Sequence, residues 1–413
     1  MLSWCNRFNI CCFLDNQQYP SSLQNYECLL AAGAAHLLEV KAGEQAFDRL
    51  QSFYDAHQDW LFGHLSYDLK REMEVPESTN PDGIGFPDLG FFVPEVVVLL
   101  HHDSMLIGTI GDESAEVVFD AIMATVIPVD RAAHTDVPIQ ARFTQDEYLQ
   151  VIRNLQRHIL RGDCYEINFC QEFYATQVYL DPVAVYERLC LASPNPFAAF
   201  YKSEERYLLC ASPERYIKKE GRRLFSQPIK GTWQRDLQSA EGDERNRKQL
   251  YHSAKDRSEN VMVVDLVRND LSRVCEEGSV QVDELFGIYS FPQVHQMIST
   301  ISGVLRADLH WVEAIRQTFP MGSMTGAPKR RVMELIEQYE RTRRGLFSGS
   351  VGYITPDGNF DFNVVIRSIF YNAATAYLSY QVGSGITFYS DPQGEYEECL
   401  LKAAAIRRVL AGS

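Results

Sequence analysis

The stretch TQDEYLQVIRNLQRHILRGDCYEINFC at residues 144–170 contains a helix signal followed at once by a strand signal. Thr144, with Glu147 three residues later, forms a capping box, which predicts that a helix begins here. Apolar residues then recur at helical spacing, at Tyr148, Val151, Ile152, Leu155 and Ile159. Gly162 is typical of a helix end, and beyond it residues 165, 167 and 169 are apolar or aromatic in strand-like alternation. The stretch therefore indicates a fold that mixes helices and strands.

The same patterns continue on both sides of this stretch. Strand-like runs lie at 207–211, 350–354, 363–371 and 376–382, and helix-like runs lie at 182–192, 327–339 and 395–410. Because the strands come in antiparallel-looking blocks with helices between them, we predict an α+β fold rather than a doubly wound parallel sheet. Two loop-like zones, 76–94 and 128–138, precede a change of character. We therefore place a boundary near residue 140, between an N-terminal region at 1–140 and a larger domain at 141–413.

Composition excludes several classes of protein. The chain has 413 residues, 46% of them apolar, and a formal net charge of -16, which argues against nucleic acid or an anionic membrane as the main partner. No apolar run is long enough to cross a membrane, and residues 1–14 lack the layout of a signal peptide. The ten cysteines form no CxxC pair and lie mostly in apolar segments. We expect buried, reduced thiols in a cytoplasmic protein.

Two acidic clusters stand next to apolar residues on predicted helices. Asp256 and Glu259 are three residues apart, and Glu395, Glu398 and Lys402 share another helix face. Such sets are usually solvated charge stripes. Here, however, apolar runs follow or interrupt them, and carboxylates beside buried residues need a partner. A divalent metal is such a partner, since Mg²⁺ typically takes one or two protein carboxylates, several waters and a substrate oxygen.

Three glycine-rich turns, at 228–232, 319–328 and 382–386, let backbone N–H groups approach an anion. None has the spacing of a phosphate-binding P-loop or of a dinucleotide-binding fingerprint. Each turn alone is a weak signal, because glycine-serine turns are common in loops.

Ten motifs in one order carry a resemblance to a known family. They run from residue 162 to residue 403 and read GDCYEINFCQ, ASPERY, PIKGT, SAKDRSEN, VDLVRND, FPMGSMTGAPK, SGSVGY, NVVIRS, VGSGIT and GEYEECLLKA. From about residue 142 to its end the chain resembles the chorismate-utilising enzymes, which include anthranilate, aminodeoxychorismate, isochorismate and salicylate synthases. The first 140 residues match loosely, mainly through GHLSYDL at 63–69. The resemblance implies a large chorismate-binding core of two packed antiparallel β-sheets flanked by helices, with the first 140 residues adding strands to it.

The resemblance also implies roles for particular residues. Glu259 and Glu398 resemble the Mg²⁺ ligands of the family, with Asp256 and Glu395 beside them, and the metal would hold the ring carboxylate of chorismate. Glu214 resembles the general acid that protonates the departing 4-hydroxyl. The residues implied to bind the enolpyruvyl carboxylate are Arg367, Tyr353, Gly383, Gly385 and Lys402. Those implied to line the substrate are Gly231, Thr232, His295 and Ser323, although His295 alone is also compatible with a hydrogen-bonded structural histidine.

Lys230 decides between branches of the family. The anthranilate and salicylate branches usually carry Ala at this position of the PIKGT motif, whereas the branch that forms 4-amino-4-deoxychorismate carries Lys. Ammonia must arrive at C4 on the face that the hydroxyl leaves, which one displacement would invert. Two successive allylic displacements solve this, with Lys230 attacking C2 first and ammonia attacking C4 second. The alternative is that Lys230 is only an electrostatic contact for an anion.

A nucleophilic lysine must be neutral when it attacks. At an ordinary pKa near 10.4 only about 0.04% of a lysine is neutral at pH 7. We therefore expect the pocket to lower the pKa of Lys230, by about three units at a free-energy cost of roughly 4 kcal/mol.

Two positions depart from the family pattern. Glu166 stands where ammonia-using relatives usually carry Gln and water-adding relatives carry Lys, which argues against isochorismate and salicylate synthases. Val40, in the run LLEV at 37–40, replaces the Ser of the LLES element that forms the tryptophan pocket of anthranilate synthases. A tryptophan site is therefore questionable.

The implied partners are chorismate and a separate glutamine amidotransferase subunit, because no GxCxG nucleophile motif occurs in the sequence. The nearest rival is the chorismate-binding component of anthranilate synthase, which shares every motif except the lysine of PIKGT. A rival from another class is a non-catalytic chorismate sensor. Degenerate carboxylates would indicate a sensor, but Glu214, Glu259, Glu395 and Glu398 are all present.

Overall fold

The computed structural model describes residues 1–19, 26–73, 77–101, 103–127 and 136–411. Its α-helices are α1 Leu2–Cys5, α2 Ala46–His57, α3 Ala115–Met123, α4 Gln145–Leu160, α5 Pro182–Ala192, α6 Ala240–His252, α7 Ala254–Ser272, α8 Trp311–Thr318, α9 Lys329–Tyr339, α10 Pro392–Lys402 and α11 Ala404–Leu410. Within the described residues, no helix is long and apolar enough to cross a membrane.

The strands form two antiparallel sheets. The strands of the first are β1 Ile10–Asp15, β2 Cys28–Ala32, β6 Val96–His101, β7 Ser104–Thr109, β8 Gln140–Ala141, β9 Glu166–Ala175, β10 Phe197–Ser203, β11 Arg206–Ser212, β17 Gly326–Ala327, β20 Ser368–Asn372 and β21 Tyr377–Ile386. Those of the second are β3 His36–Val40, β4 Leu61–Leu65, β5 Leu89–Val93, β12 Arg215–Glu220, β13 Arg223–Gln227, β14 Ile229–Gln234, β15 Gln281–Ser290, β16 Val294–Val304, β18 Ser350–Ile354 and β19 Phe360–Asn363. The predicted α+β fold with two antiparallel sheets is confirmed.

A continuous apolar core joins the facing sides of the two sheets. It contains Leu208 and Cys210 of the first sheet together with Phe62 and Phe362 of the second. A second apolar cluster covers the other face of the first sheet, where helices such as α4 and α5 pack. Strands from residues before 140 lie in both sheets, with β1 beside β10 and β4 beside β18. The boundary near residue 140 stays a prediction.

Local patterns located most of the predicted elements correctly. Helix α4 begins after the capping box formed by Thr144 and Glu147, and α5 and β18 have the predicted bounds. The helix expected at 395–410 is two helices, α10 and α11. The loop expected at 76–94 contains β5, because the run 89–93 pairs with β3 and β4 and is buried. Residues 76 and 128–135 of the two predicted loop zones lie outside the described residues.

The prediction of one strand at 363–371 is wrong, and the difference matters for the candidate site. The chain leaves the second sheet at the end of β19 and enters the first sheet at β20. Residues 364–367 cross between the sheets, and Arg367 has a positive φ of 52°, a conformation that is uncommon outside glycine. Alternating burial alone does not reveal such a crossing, because both strands keep the same period.

Candidate active site

Lys230 lies in the interior on β14, next to a carboxylate from the other sheet. Its Nζ donates a hydrogen bond to Glu166 Oε1 at 2.9 Å, and only 12% of the Lys230 side chain is exposed. Glu166 is the first residue of β9, so this ion pair joins the two sheets. Glu166, which departs from the family pattern, is thus the direct partner of Lys230, the residue that distinguishes the branches of the family.

The pKa of Lys230 is shifted in the direction opposite to the expected one. Burial lowers it, but attraction to Glu166, and then to Glu259 and Glu214, outweighs burial and raises the pKa above the ordinary value of lysine. The expected lowering is therefore wrong for this chain by itself. The reason is that the prediction considered burial of the amine but not the carboxylates that the fold places around it.

Glu214 is a second buried carboxyl beside Lys230. Burial raises the pKa of Glu214 to about 7, against the opposing effects of a hydrogen bond with Ser323 and the charges of Lys230 and Arg367. Ser323 is itself buried, in the short 3-10 helix Gly322–Met324. A carboxyl that keeps its proton near neutral pH is suited to act as a general acid.

Arg367 lies at the crossing between the sheets, near Glu214. Burial lowers the pKa of its guanidinium, and attraction to Glu214 partly offsets this. Among the residues that the structure describes, no carboxylate forms an ion pair with Arg367. A partly buried guanidinium in this state is suited to bind an anionic ligand.

Two carboxylates from two helices face one cationic side chain. Glu259 on α7 and Glu398 on α10 lie 3.9 Å and 3.8 Å from Lys255 Nζ. Burial raises the pKa of Glu259 to about 7. The ammonium of Lys402, 2.9 Å from Glu398 Oε1, lowers the pKa of Glu398. The fold therefore brings together the two residues that resemble the metal ligands of the family.

The predicted metal shell of four carboxylates is only partly assembled. Over the described ranges, no group of three or more His, Cys, Asp or Glu side chains is arranged to hold a metal. Asp256 Oδ2 accepts a hydrogen bond from Trp233 Nε1 at 3.3 Å, and Glu395 is buried. Since Mg²⁺ needs only one or two protein carboxylates, Glu259 and Glu398 fit this ion by themselves. The attraction of both to Lys255 also indicates a place that favours positive charge.

The glycines of the VGSGIT motif lie where the chain approaches other groups closely. A Cβ on Gly385 would lie 2.5 Å from Glu166 Oε1 and 3.0 Å from Lys230 Nζ, so this glycine makes room for the ion pair. A Cβ on Gly383 would lie 2.1 Å from the carbonyl oxygen of Phe169 on the neighbouring strand. Lys402 Nζ donates to the carbonyl oxygen of Gly383 at 3.0 Å. Of these residues, Gly385 borders the ion pair directly.

Gly231 and Thr232 follow Lys230 on β14. Gly231 has a φ of 88°, and a Cβ there would lie 3.0 Å from the Asp256 side chain, so the strand packs tightly on α7 at this point. Thr232 is exposed and pairs with Gln296 of β16.

His295 is not brought to this group. Its Nδ1 contacts Ser290 Oγ at 2.9 Å, and its Nε2 contacts Asp243 Oδ1 at 2.9 Å. Both ring nitrogens are therefore engaged, one by Asp243 of α6 and the other by Ser290 of β15. The alternative of a hydrogen-bonded structural histidine agrees with this geometry.

Tyr353 is also placed elsewhere. It pairs across strands with Phe62, and its ring lies 5.7 Å from that of Trp60 and 5.8 Å from that of Tyr26. This aromatic cluster packs against the core between the sheets. The strand register turns Tyr353 toward Phe62 rather than toward Arg367.

Gln296 is a residue that sequence reasoning missed. It is fully buried, and neither atom of its side-chain amide has a hydrogen-bond partner among the described residues. Its cross-strand partner is Thr232, and paired residues share one face of a sheet. The alternation of β16 could have indicated that Gln296 and its neighbour His295 face opposite sides.

A family model described as chorismate binding enzyme matches residues 11–408. This chain belongs to the chorismate-binding enzyme family. The match includes most of the first 140 residues, which resembled the family only loosely in sequence. The strands that these residues add to both sheets agree with that extent.

Named relatives of this chorismate-binding enzyme come from two branches. The chain is 35% identical over 349 residues to aminodeoxychorismate synthase component 1 of Salmonella typhimurium, covering 84% of this chain and 76% of that protein. It is 32% identical over 380 residues to anthranilate synthase component 1 of Thermus thermophilus, covering 88% of this chain and 81% of that protein. Overall identity differs little between them, so single residues must distinguish the branches.

The solved structure of anthranilate synthase component I from Streptococcus pneumoniae has the same fold. It superposes with a TM-score of 0.80 at 24% sequence identity, covering 95% of both chains. This likeness supports the two-sheet architecture.

Proposed function

We propose that this chain is the chorismate-converting component of an aminodeoxychorismate synthase, which replaces the 4-hydroxyl of chorismate with an amino group. The observation that carries the proposal is the position of Lys230, an interior amine with the carboxyls of Glu166 and Glu214 beside it. The similarity to the Salmonella typhimurium protein of that name supports the same branch. Anthranilate synthase component I is the alternative.

The residues of this chain supply two parts of the reaction. Glu214, with a pKa of about 7, is suited to protonate the 4-hydroxyl as the C4–O bond breaks. Lys230 Nζ is suited to attack C2 in the same displacement and to leave when ammonia attacks C4. In this account the elimination of one water and the addition of one ammonia give 4-amino-4-deoxychorismate.

Other residues would hold the substrate. Arg367, which has no carboxylate partner among the described residues, is suited to bind the enolpyruvyl carboxylate. The buried amide of Gln296 is suited to donate a hydrogen bond on the Thr232 side. Glu259 and Glu398 would hold Mg²⁺, whose chemistry there is to offset the charge of a substrate carboxylate as a Lewis acid.

The proposed setting is the formation of p-aminobenzoate for folate, with ammonia from a separate glutamine amidotransferase subunit. The component 1 name of the Salmonella typhimurium relative supports a second component. All ten cysteines are buried and none forms a disulfide, which supports a cytoplasmic location.

Product identity tests this proposal. The purified chain is incubated with chorismate, Mg²⁺ and an ammonium salt, and the products are separated and identified by mass. We expect 4-amino-4-deoxychorismate without pyruvate. Anthranilate together with an equal amount of pyruvate would instead establish the alternative branch.

Glutamine is expected to serve as nitrogen donor only with a partner. The purified chain with glutamine in place of ammonium should form no amino product, because its sequence contains no GxCxG nucleophile motif. Addition of a glutamine amidotransferase subunit should restore formation of the product. The measurement compares the glutamate released with the chorismate consumed. Glutamine-dependent product from the purified chain alone would contradict this prediction.

The pH dependence of C4–O cleavage should follow Glu214. Cleavage needs the protonated carboxyl of Glu214, whose pKa is raised to about 7. The single-turnover rate should therefore be at its maximum well below pH 7 and should fall as pH rises above 7. Glu214→Gln should slow cleavage by roughly 100-fold or more and remove this decline. The exposed Glu220, replaced by Gln, is the control and should retain the decline. An unchanged profile in Glu214→Gln would remove Glu214 as the acid.

A further inference from the structure

We propose that Glu166 is a catalytic residue, which accepts the proton of Lys230 and thereby frees the amine for attack on the substrate. This inference rests on the proposed function, because it assigns the proton that the lysine must lose before it can form a bond. Neither the family pattern, in which other residue types usually stand here, nor the names of the relatives assigns such a role.

The first support is direct contact in the interior. Glu166 Oε1 accepts the hydrogen bond of Lys230 Nζ at 2.9 Å, and 12% and 5% of the lysine and glutamate side chains are exposed. Among the described residues, Glu166 is the one hydrogen-bond acceptor of this amine. A proton transferred between these two atoms crosses a single hydrogen bond and needs no entry of water.

The second support is the other oxygen of the Glu166 carboxyl group, Oε2. Glu166 Oε2 is buried and has no hydrogen-bond partner within the described part of the chain. On the same strand, Glu172 binds Arg142 Nε at 2.7 Å through one oxygen and Tyr377 through the other, at 3.0 Å. Buried carboxylates with a purely structural role normally have both oxygens satisfied. Glu166 is held by Lys230 alone, so the pair forms an isolated donor and acceptor.

The third support is space made for this pair. Gly385 lies beside it on β21, and the Cβ of any other residue there would be within 2.5 Å of Glu166 Oε1 and 3.0 Å of Lys230 Nζ. The ammonium and the carboxylate therefore share a position that the backbone leaves open for them.

The surrounding charges explain why an internal acceptor is needed. The acidic groups that act on Lys230 come from several elements: Glu166 on β9, Glu259 on α7, Glu214 before β12 and Glu398 on α10. Together they hold Lys230 in its ammonium form. The described residues include no hydrogen bond or ion pair from Lys230 or Glu166 to Glu259 or Glu398. Loss of the Lys230 proton to bulk solvent would leave these carboxylates without the ammonium that offsets their charge. Transfer of the proton to Glu166 instead neutralises one of the carboxylates at the same time.

The proton balance of the full reaction closes with these three groups. Lys230 passes its proton to Glu166, and the neutral amine attacks C2 while the C4–O bond breaks and Glu214 protonates the leaving hydroxyl as water. Ammonia then attacks C4, Lys230 leaves C2 as a neutral amine, and the new C4 ammonium returns a proton to Glu214. Glu166 finally returns its proton to Lys230. The sum is chorismate plus ammonia giving 4-amino-4-deoxychorismate plus water.

The test is the pH dependence of Lys230 adduct formation in Glu166→Gln. Gln can still accept the hydrogen bond of Lys230 but cannot take its proton, so deprotonation must occur to solvent. With chorismate and Mg²⁺ and without ammonia, we expect the rate of adduct formation at pH 7 to fall about 100-fold, and to rise about tenfold from pH 6 to pH 7, where Glu214 is still largely protonated. Between pH 6 and 7 the wild-type rate should change less than about threefold.

Two further variants complete the experiment. Glu166→Asp keeps a carboxylate and should retain the wild-type pH profile at a lower rate. Glu172→Gln makes the same chemical change in another buried ion pair of β9 and should retain the wild-type profile. The affinity of each variant for chorismate, measured by calorimetry, should stay within about threefold of wild type.

The outcomes separate this inference from the proposed function. If Glu166→Gln forms the adduct at the wild-type rate or faster, with the wild-type pH profile, Glu166 is not the proton acceptor, although the function stands. If wild type forms anthranilate and never the adduct, the proposed function itself fails. If the rate of adduct formation in Glu172→Gln also rises steeply with pH, the effect of Glu166→Gln comes from a disturbed structure. That result would also overturn the role of Glu166.

Discussion

Replacement of Lys230 by Ala is expected to lower formation of 4-amino-4-deoxychorismate by about 1,000-fold or more and to abolish covalent attachment of the substrate. Removal of a nucleophile typically costs this much, because the remaining groups cannot take its place. Chorismate should still bind, since Arg367 and the carboxylates of α7 and α10 are unchanged. Product formation and calorimetric binding are measured side by side on the same preparation.

The control for this variant is Lys202→Ala. Lys202 is also a partly buried lysine on a strand, where its Nζ donates to the carbonyl oxygen of Asn6 at 2.9 Å. It lies on β10, away from Glu166 and Glu214, and its loss should leave product formation near the wild-type level. Near-normal synthesis of the amino product by Lys230→Ala would instead mean that Lys230 is only an electrostatic contact.

The second large effect is expected from the metal ligands. Glu259→Ala and Glu398→Ala should each lower turnover at least about 100-fold and remove the dependence of chorismate affinity on Mg²⁺. The physical reason is that Mg²⁺ typically has only one or two protein carboxylates, so loss of one leaves an incomplete site. Calorimetric titration of chorismate with and without Mg²⁺ reports this independently of catalysis.

Asp265→Ala is the matched control on α7. Its carboxylate is exposed and pairs with Arg268 one helical turn away, at 2.9 Å, so its loss should leave the Mg²⁺ dependence intact. If Glu259→Ala and Glu398→Ala both keep the wild-type dependence on Mg²⁺, these residues are not ligands.

Local sequence signals predicted much of the fold. The capping box at Thr144 and the apolar periodicity after it identified α4, and the alternation around Ile167 identified β9. These signals succeed because they depend on residues a few positions apart. The crossing at Arg367 was missed, since it depends on which sheet each neighbouring strand joins.

The candidate site was predicted unevenly for a related reason. Lys230, Glu214 and Arg367 converge as expected, because each lies in one of the motifs that carry the resemblance to the family. His295 and Tyr353 do not, since the side of the sheet that each faces depends on strand register. A motif identifies a strand, and a shift of one residue within it turns a side chain to the opposite face. The shift of the Lys230 pKa depends on carboxylates from several separate elements, which no local pattern contains.

The most direct test of the central claim is the mass of the protein after incubation with chorismate and Mg²⁺ without ammonia. Without the second nucleophile the first displacement should stall, because water is a poor substitute for ammonia. Intact-mass measurement should then show the protein plus chorismate minus one water, and peptide mapping should locate the added mass at Lys230. Later addition of ammonium should release it as 4-amino-4-deoxychorismate. Unmodified protein throughout, from a preparation that forms the amino product at its normal rate once ammonium is supplied, would contradict covalent catalysis by Lys230.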